Sequence, residues 1–287
     1  MKRKDFLRIG GSLALTGLAS RNIFATLADD TEARKIKNFG LQLYTLRNDM
    51  PKDPRAVLKQ AAGFGYKQIE SYEGPKGIYW GMTNKEFKSY MDELGMNLVA
   101  SHCDINKDFE RKATGAAEIG MKYLICPWLG PQKNIDEFKK FADTFNGKAE
   151  ICKKNGIRFA YHNHAYSFET IDGELPQDVL MNNTDPGLVD FEMDIYWVET
   201  ANANSAAWLK KYKNRFRLCH VKDRIKNTTE REATCDLGTG SIDFAKILKT
   251  AKKTGMQYYI VEQERYDGTT PLEAVKSNAD YMKRLRF

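Results

Sequence analysis

Histidine is scarce in this chain of 287 residues, which holds four. Cysteine is hardly commoner, at five, and no C-x-x-C pair occurs. An odd, unpaired set excludes a zinc knuckle or a disulfide framework. Cys103, Cys126, Cys152, Cys219 and Cys235 read instead as small buried hydrophobes. No apolar run approaches the roughly 18 residues of a membrane-spanning helix. GLQLYTLRND, at the first strand-like run, contains no G-x-G-x-x-G, which excludes the dinucleotide fingerprint there. There is no HExxH, no EF-hand loop, no low-complexity stretch, no interdomain linker and no internal repeat. Excess charge is also small. The formal +7 includes +4 from residues 1–28 and leaves +3 for the rest. That balance gives no footprint for nucleic acid or anionic lipid. Apolar content of 42% and charged content of 29% are those of an ordinary globular protein.

The first residues read as a separate object. MKRKDFLRIGGSLALTGLAS has a basic start and an apolar run over Ile9–Ala19, with small residues at Ala25 and Ala28 where a peptidase could cut. KRKDFLRIGG resembles a twin-arginine export signal, with Arg3-Lys4 in place of the arginine pair. Residues 1 to about 30 are therefore expected to be an export signal outside the fold, and the protein to be exported, in a periplasm.

From residue 38 short apolar runs alternate with longer amphipathic segments. Strands are predicted at Phe39–Leu43, Lys67–Glu70, Asn97–Ser101, Tyr123–Ile125, Arg158–Tyr161, Val189–Met193, Arg217–Val221 and Tyr258–Val261. Helices are predicted to begin near Pro54, Asn84, Asp108, Ile135, Leu175, Asn202, Ile242 and Leu272, with Asp53-Pro54, Thr270-Pro271 and Ser241 as start signals. Eight alternating units imply an α/β fold with a parallel sheet, closed as a single (β/α)8 TIM barrel over 38–287.

Chemistry in such a barrel gathers at the C-terminal ends of the strands. Those ends hold Gln42, Glu70, His102, Trp128 (in Pro127-Trp128), His162 with His164, Asp194, His220 and Glu262, so all four histidines fall at one end. Period-2 alternation puts Asp190, Glu192 and Asp194 on one face of VDFEMD, and Leu218, His220 and Lys222 on one face of RLCHVK. Imidazoles beside carboxylates suit one divalent ion: manganese, magnesium, cobalt or zinc. Trp128, Trp197 and Tyr44 are placed to stack on a ring, and His102, Glu70 and Lys222 to hydrogen-bond a polar ligand. Gly238 and Gly240 in DLGTG let the backbone run close to another group, and Gln263 is expected behind Glu262.

GLQLYTLR, YHNH, MDIYWV, CHVKD, DLGTGSIDF and YYIVEQE, in that order, resemble the xylose isomerase-like barrel family of sugar phosphate isomerases and epimerases, in the subgroup that carries YHNH. The resemblance covers about residues 38–287. It implies a metal held by Asp194, His220 and Glu262, with His162 where relatives carry a strand-5 carboxylate. Ser167 stands where the subgroup has glutamate, and Glu169 lies two further on. In the carboxylate-bearing epimerases two glutamates flank the metal; one removes a proton beside a carbonyl, the other returns one, and the metal holds the enediolate oxygen. Carried over, Glu262 acts as base and His162, His164 or Glu169 as the second acid/base. The expected function is a sugar isomerase or epimerase. The alternative is a 3-keto-glycoside lyase that removes the C2 proton and expels the C1 substituent. The implied partner is a small carbohydrate, with no nucleic acid and with room for a homo-oligomer. DNA-repair endonucleases on the same barrel need more metals and more histidines, and a non-catalytic sugar-binding barrel would not need the metal cluster.

Overall fold

In a computed structural model the described residues are 35–287, and the expected export signal lies outside them. Eight parallel strands close into a barrel: β1 Gly40–Gln42, β2 Gln68–Tyr72, β3 Asn97–His102, β4 Tyr123–Cys126, β5 Arg158–His162, β6 Val189–Asp194, β7 Phe216–Val221 and β8 Tyr258–Val261. The strands follow one another round the ring, with β8 pairing β1 in parallel. Each predicted strand is present, with ends moved by a residue or two. The helices are α1 Pro54–Phe64, α2 Asn84–Glu93, α3 Phe109–Glu118, α4 Ile135–Lys154, α5 Pro176–Asn183, α6 Ile195–Thr200, α7 Ser205–Lys211, α8 Phe244–Lys253 and α9 Pro271–Arg284. No helix among the described residues is long and apolar enough to cross a membrane.

Local signals explain most helix starts. The Asp53 carboxylate accepts from Ala56 N ahead of Pro54, and Thr270 with Glu273 forms a capping box ahead of Pro271. Helix α8 starts later than expected, because the side chain that caps it is Asp243 and not Ser241. The short α6 was not expected; it starts directly on Asp194, whose Oδ1 accepts from Trp197 N. A second addition is a short antiparallel ladder of Asp223–Arg224 with Thr234–Cys235.

Burial falls into two layers. The larger lies between sheet and helices and includes Val189, Phe191 and Met193 of β6. A smaller cluster of Val99, Tyr123, Ile125, Ala160, Leu218 and Ile260 fills the barrel itself. Alternation therefore sends Asp190, Glu192 and Asp194 inward, as the pattern of VDFEMD demands. The five cysteines are free and at least half buried.

A candidate metal centre at the mouth of the barrel

Strand register brings the acidic and imidazole groups together. His162 lies beside Glu192 across the β5–β6 ladder, and Asp194 beside His220 across β6–β7. His162, Asp194, His220 and Glu262 each offer one ligand atom, and all four atoms lie within 4.8 Å of one another. This is the set that the family resemblance implied. A second set, Glu70, His102, Glu192 and His220, meets the same condition and shares His220. The ring of His220 divides the two. Its Nδ1 faces Glu262 Oε2 at 3.1 Å, and its Nε2 faces Glu70 Oε1 at 2.8 Å.

The outer set is built to receive a cation. The His162 Nδ1 lies 3.2 Å from the Pro127 carbonyl oxygen, which can only accept, so Nδ1 carries the hydrogen. A neutral His162 then points a bare Nε2 at Asp194 Oδ2, 3.3 Å away. Two acceptors face to face need a positive centre between them, a proton or a metal ion. Both nitrogens of His220 face carboxylates, so without a metal the ring carries two protons. Burial opposes that charge, but Glu192 and Glu262 hold its pKa well above the ordinary value. Asp194 and Glu262 are ionised in spite of burial, because the Lys222 ammonium, then the imidazoles, hold both well below the carboxylate range. Lys222 Nζ sits 3.1 Å from Glu262 Oε2 and 3.7 Å from Asp194 Oδ2, and its other partner is Glu264. These residues fit a divalent ion, with two ionised carboxylates, one free imidazole nitrogen and one that a metal can claim from a proton.

The inner set is already balanced by protons. Burial alone would raise Glu70, yet His102 and His220 hold its carboxyl down to about 2. Burial, then the charge on Glu70, pushes Glu192 well above the carboxylate range. Glu70 Oε2 and Glu192 Oε1 are buried with no hydrogen-bond partner among the described residues. His102 Nε2 lies 2.8 Å from Glu192 Oε2, and burial lowers its pKa to about 3.

The centre opens on a cavity of about 300 Å³ whose walls include His102, His162, His164, Trp197, Lys222 and Glu262. Tyr44 and Trp128 stand at its edge. His164 packs edge to face on Trp128, at 4.4 Å between centroids, and burial keeps its imidazole neutral.

Three expected site residues stand elsewhere. Gln42 does not line the cavity; its Nε2 donates to Glu70 Oε1 at 2.6 Å and its Oε1 accepts from Tyr44 N. Glu70 is equally buried, and its carboxylate orients His220 instead of meeting a sugar hydroxyl. Glu169 is exposed and paired with Arg231 at 2.8 Å, because the chain turns into a 3-10 helix over Ala165–Phe168 that carries it away. Gln263 turns from Glu262 toward Asp236 and Asn278. Gly238 and Gly240 wrap the Asp223 carboxylate, donating at 2.9 and 3.1 Å, and a Cβ on Gly240 would overlap that carboxylate.

Three residues escaped sequence reasoning as parts of the site. Glu192 shares the inward face already read for Asp194. Glu264 pairs with Lys222 two residues past Glu262. Asn163, between the two histidines, clamps the Asp194 backbone from both sides, accepting from its N–H and donating to its C=O at 3.2 Å each. Asn163 is fully buried, and nothing in its residue type marked that role.

Residues 58–285 match the model of the xylose isomerase-like TIM barrel family. An inosose dehydratase of Bacillus licheniformis is 26% identical over 232 residues, 71% of this chain and 75% of its own length. One from Clostridium perfringens is 27% identical over 166 residues, and there the match spans 55% of that protein's length. The crystal structure of a sugar phosphate isomerase/epimerase from Parabacteroides distasonis has a TM-score of 0.75 and 29% identity, covering 86% of this chain and 97% of that one. The IolI protein crystallised with a zinc atom shares the fold at 17% identity, with a TM-score of 0.70 over 85% of this chain and 95% of that one.

Proposed function

Because the chain belongs to the xylose isomerase-like TIM barrel family, we propose that it is a divalent-metal-dependent enzyme that removes a proton next to the carbonyl of a keto-sugar and then expels the substituent on the adjacent carbon. One observation carries this reading. Glu73, Asp104, Glu262 and Glu264 are the acidic side chains lining the cavity, and of these only Glu262 belongs to the buried histidine–carboxylate centre. Epimerisation needs an acid/base group on each face of the reacting carbon. Elimination needs one, since the group that takes the proton can hand it to the leaving oxygen. Dehydration, the reaction that names the relatives from B. licheniformis and C. perfringens, is an elimination.

His162, Asp194, His220 and Glu262 would hold the ion. Its chemistry there would be Lewis-acid relief of the negative charge that grows on the keto oxygen. The residues do the rest. In a 3-keto-glycoside the Glu262 carboxylate takes the C2 proton, and the C2–H electrons move toward the carbonyl. As they return, the C1=C2 bond forms, the C1–O bond breaks, and Glu262 gives its proton to the departing oxygen. The Lys222 ammonium sits 3.1 Å from Glu262, where it favours the ionised base and adds positive charge beside the oxyanion. Glu70 accepts from His220 Nε2–H, which fixes the ring with Nδ1 toward the centre. His102 and His164, both neutral, offer hydrogen bonds without adding charge.

The test is NMR of a 3-keto-glucoside in deuterium oxide with the metal-loaded protein. Release of the aglycone is expected. Deuterium at C2 with the glycosidic bond intact would overturn elimination in favour of the epimerase. That second reading draws support from the imidazoles of His162 and His164, which line the same cavity as Glu262.

A further inference from the structure

Among the described residues, two large hydrophobic side chains are exposed, Tyr44 at 38% and Trp128 at 54%, and both line the cavity above the metal centre. Solvated aromatic surface gathered at a pocket mouth marks a contact that something else completes. We infer that Tyr44 and Trp128 form a second subsite, for the flat apolar aglycone of a glycoside, so that the substrate is a keto-glycoside with an aromatic substituent and not a free monosaccharide. The inference rests on the elimination reading, in which a leaving group exists.

Three features favour that occupant. The cavity, at about 300 Å³, is at the small end of ligand pockets, which run from roughly 300 to 1,000 Å³. With one sugar ring over His162 and Glu262, its substituent has to cross the mouth. Both aromatic rings are also held in place before anything binds. Tyr44 packs edge-on to Tyr72 at 5.2 Å with the Arg47 guanidinium 4.8 Å from its centroid, and Trp128 packs on His164 at 4.4 Å and Tyr166 at 5.0 Å. Rings fixed in this way lose little freedom on binding. Finally, the charged side chains at the rim are mostly acidic. Glu73, Asp104 and Glu264 line the cavity, while the neighbouring cations are engaged, Lys222 by Glu262 and Glu264 and Lys112 by Glu73. Arg47, beside Tyr44, donates to the Tyr44 and Glu264 backbone carbonyls and has no carboxylate partner among the described residues, so one positive charge stands at this otherwise acidic rim.

The test is binding of two unreactive probes, phenyl and methyl β-D-glucopyranoside, to the full chain with manganese supplied. Calorimetry is expected to give about tenfold tighter binding of the phenyl glucoside, an effect of stacking on two rings. The preference should fall to about one in the Tyr44→Ala/Trp128→Ala double variant and largely survive in Trp128→Tyr, with circular dichroism confirming that each variant folds. An equal affinity of the wild type for both probes overturns the inference. So does a preference that persists in the double variant, or an equal loss for both probes, which would give the rings to the sugar itself. A wild-type dimer that the double variant converts to monomer, without a change in preference, would assign the surface to a second copy of the chain and also overturn it. Turnover is read separately. Failure to release aglycone from a 3-keto-glucoside sinks the elimination reading, whereas the binding preference tests the subsite alone.

Discussion

Asp190 and Asp194 lie on the same strand, point into the same barrel and are almost wholly buried, yet they live in different chemistry. At the N-terminal end of β6, Asp190 is fully satisfied. Arg158 holds it through Nε and, at 2.9 Å, through Nη2, and the Tyr123 hydroxyl donates at 3.0 Å. At the C-terminal end Asp194 faces the Nε2 of His162, a doubly flanked His220 and an ammonium at 3.7 Å. The first carboxylate is paired by groups that all donate to it. The second stands among groups that compete for one positive centre. The mismatch among its partners separates the second acid from the first, and burial alone does not distinguish the two ends.

The comparison breaks most sharply by substitution. Glu262→Gln is expected to cut kcat by about 10²–10⁴-fold with the fold intact, since it removes the proton carrier. Asp194→Ala should abolish binding of a divalent ion, read by metal analysis. Asp190→Ala should do the reverse: a loss of about 2–3 kcal/mol in denaturant unfolding, because Arg158 and Tyr123 lose their partner, with turnover per folded molecule preserved. An Asp190 variant that stays stable but loses metal would erase the distinction between the two ends.

Glu70 sharpens it from one layer down. Glu70→Gln keeps the shape but loses the charge that His220 donates to, and metal affinity should fall about 10–100-fold. Metal and proton compete for His220 Nδ1. Uptake should therefore release at least one proton, and affinity should drop as pH is lowered, which calorimetry in buffers of differing ionisation heat can measure. The sign for stability runs the other way in the metal-free protein. The folded pKa of His220 lies above its unfolded value of about 6.5, so its contribution is full below that pH and is lost as pH rises through the folded pKa. Metal-free stability that rises over that window would contradict the doubly protonated ring.

How much of this was legible follows from what periodicity can encode. Alternation in VDFEMD and RLCHVK fixed which side chains point inward, and eight repeats of strand and helix fixed the ring that brings them together. Depth was not encoded. Gln42, Glu70 and His102 all sit at strand ends, but β2 runs on to Tyr72, so Glu70 lies a layer below the mouth and Gln42 tucks behind it. Nor does alternation reach past a strand end. Beyond His162 the chain turns into the 3-10 helix of Ala165–Phe168, so the alternation of β5 says nothing about where Glu169 points. Asn163 was hidden for a third reason. Its work is a pair of hydrogen bonds to the backbone of another strand, which depends on register and not on residue type.

Glu169 gives the smallest expected effect and the strictest check on that account. Proximity in sequence to YHNH made it a candidate acid, whereas its exposed ion pair with Arg231 puts it among groups worth little to stability or catalysis. Glu169→Gln should leave kcat and KM within about twofold of the parent, as a surface substitution does. A hundredfold loss of kcat with KM unchanged would mean that this segment swings its carboxylate over the cavity during turnover. Glu262 would then have a second acid opposite it, and epimerisation would regain the two-sided geometry it requires.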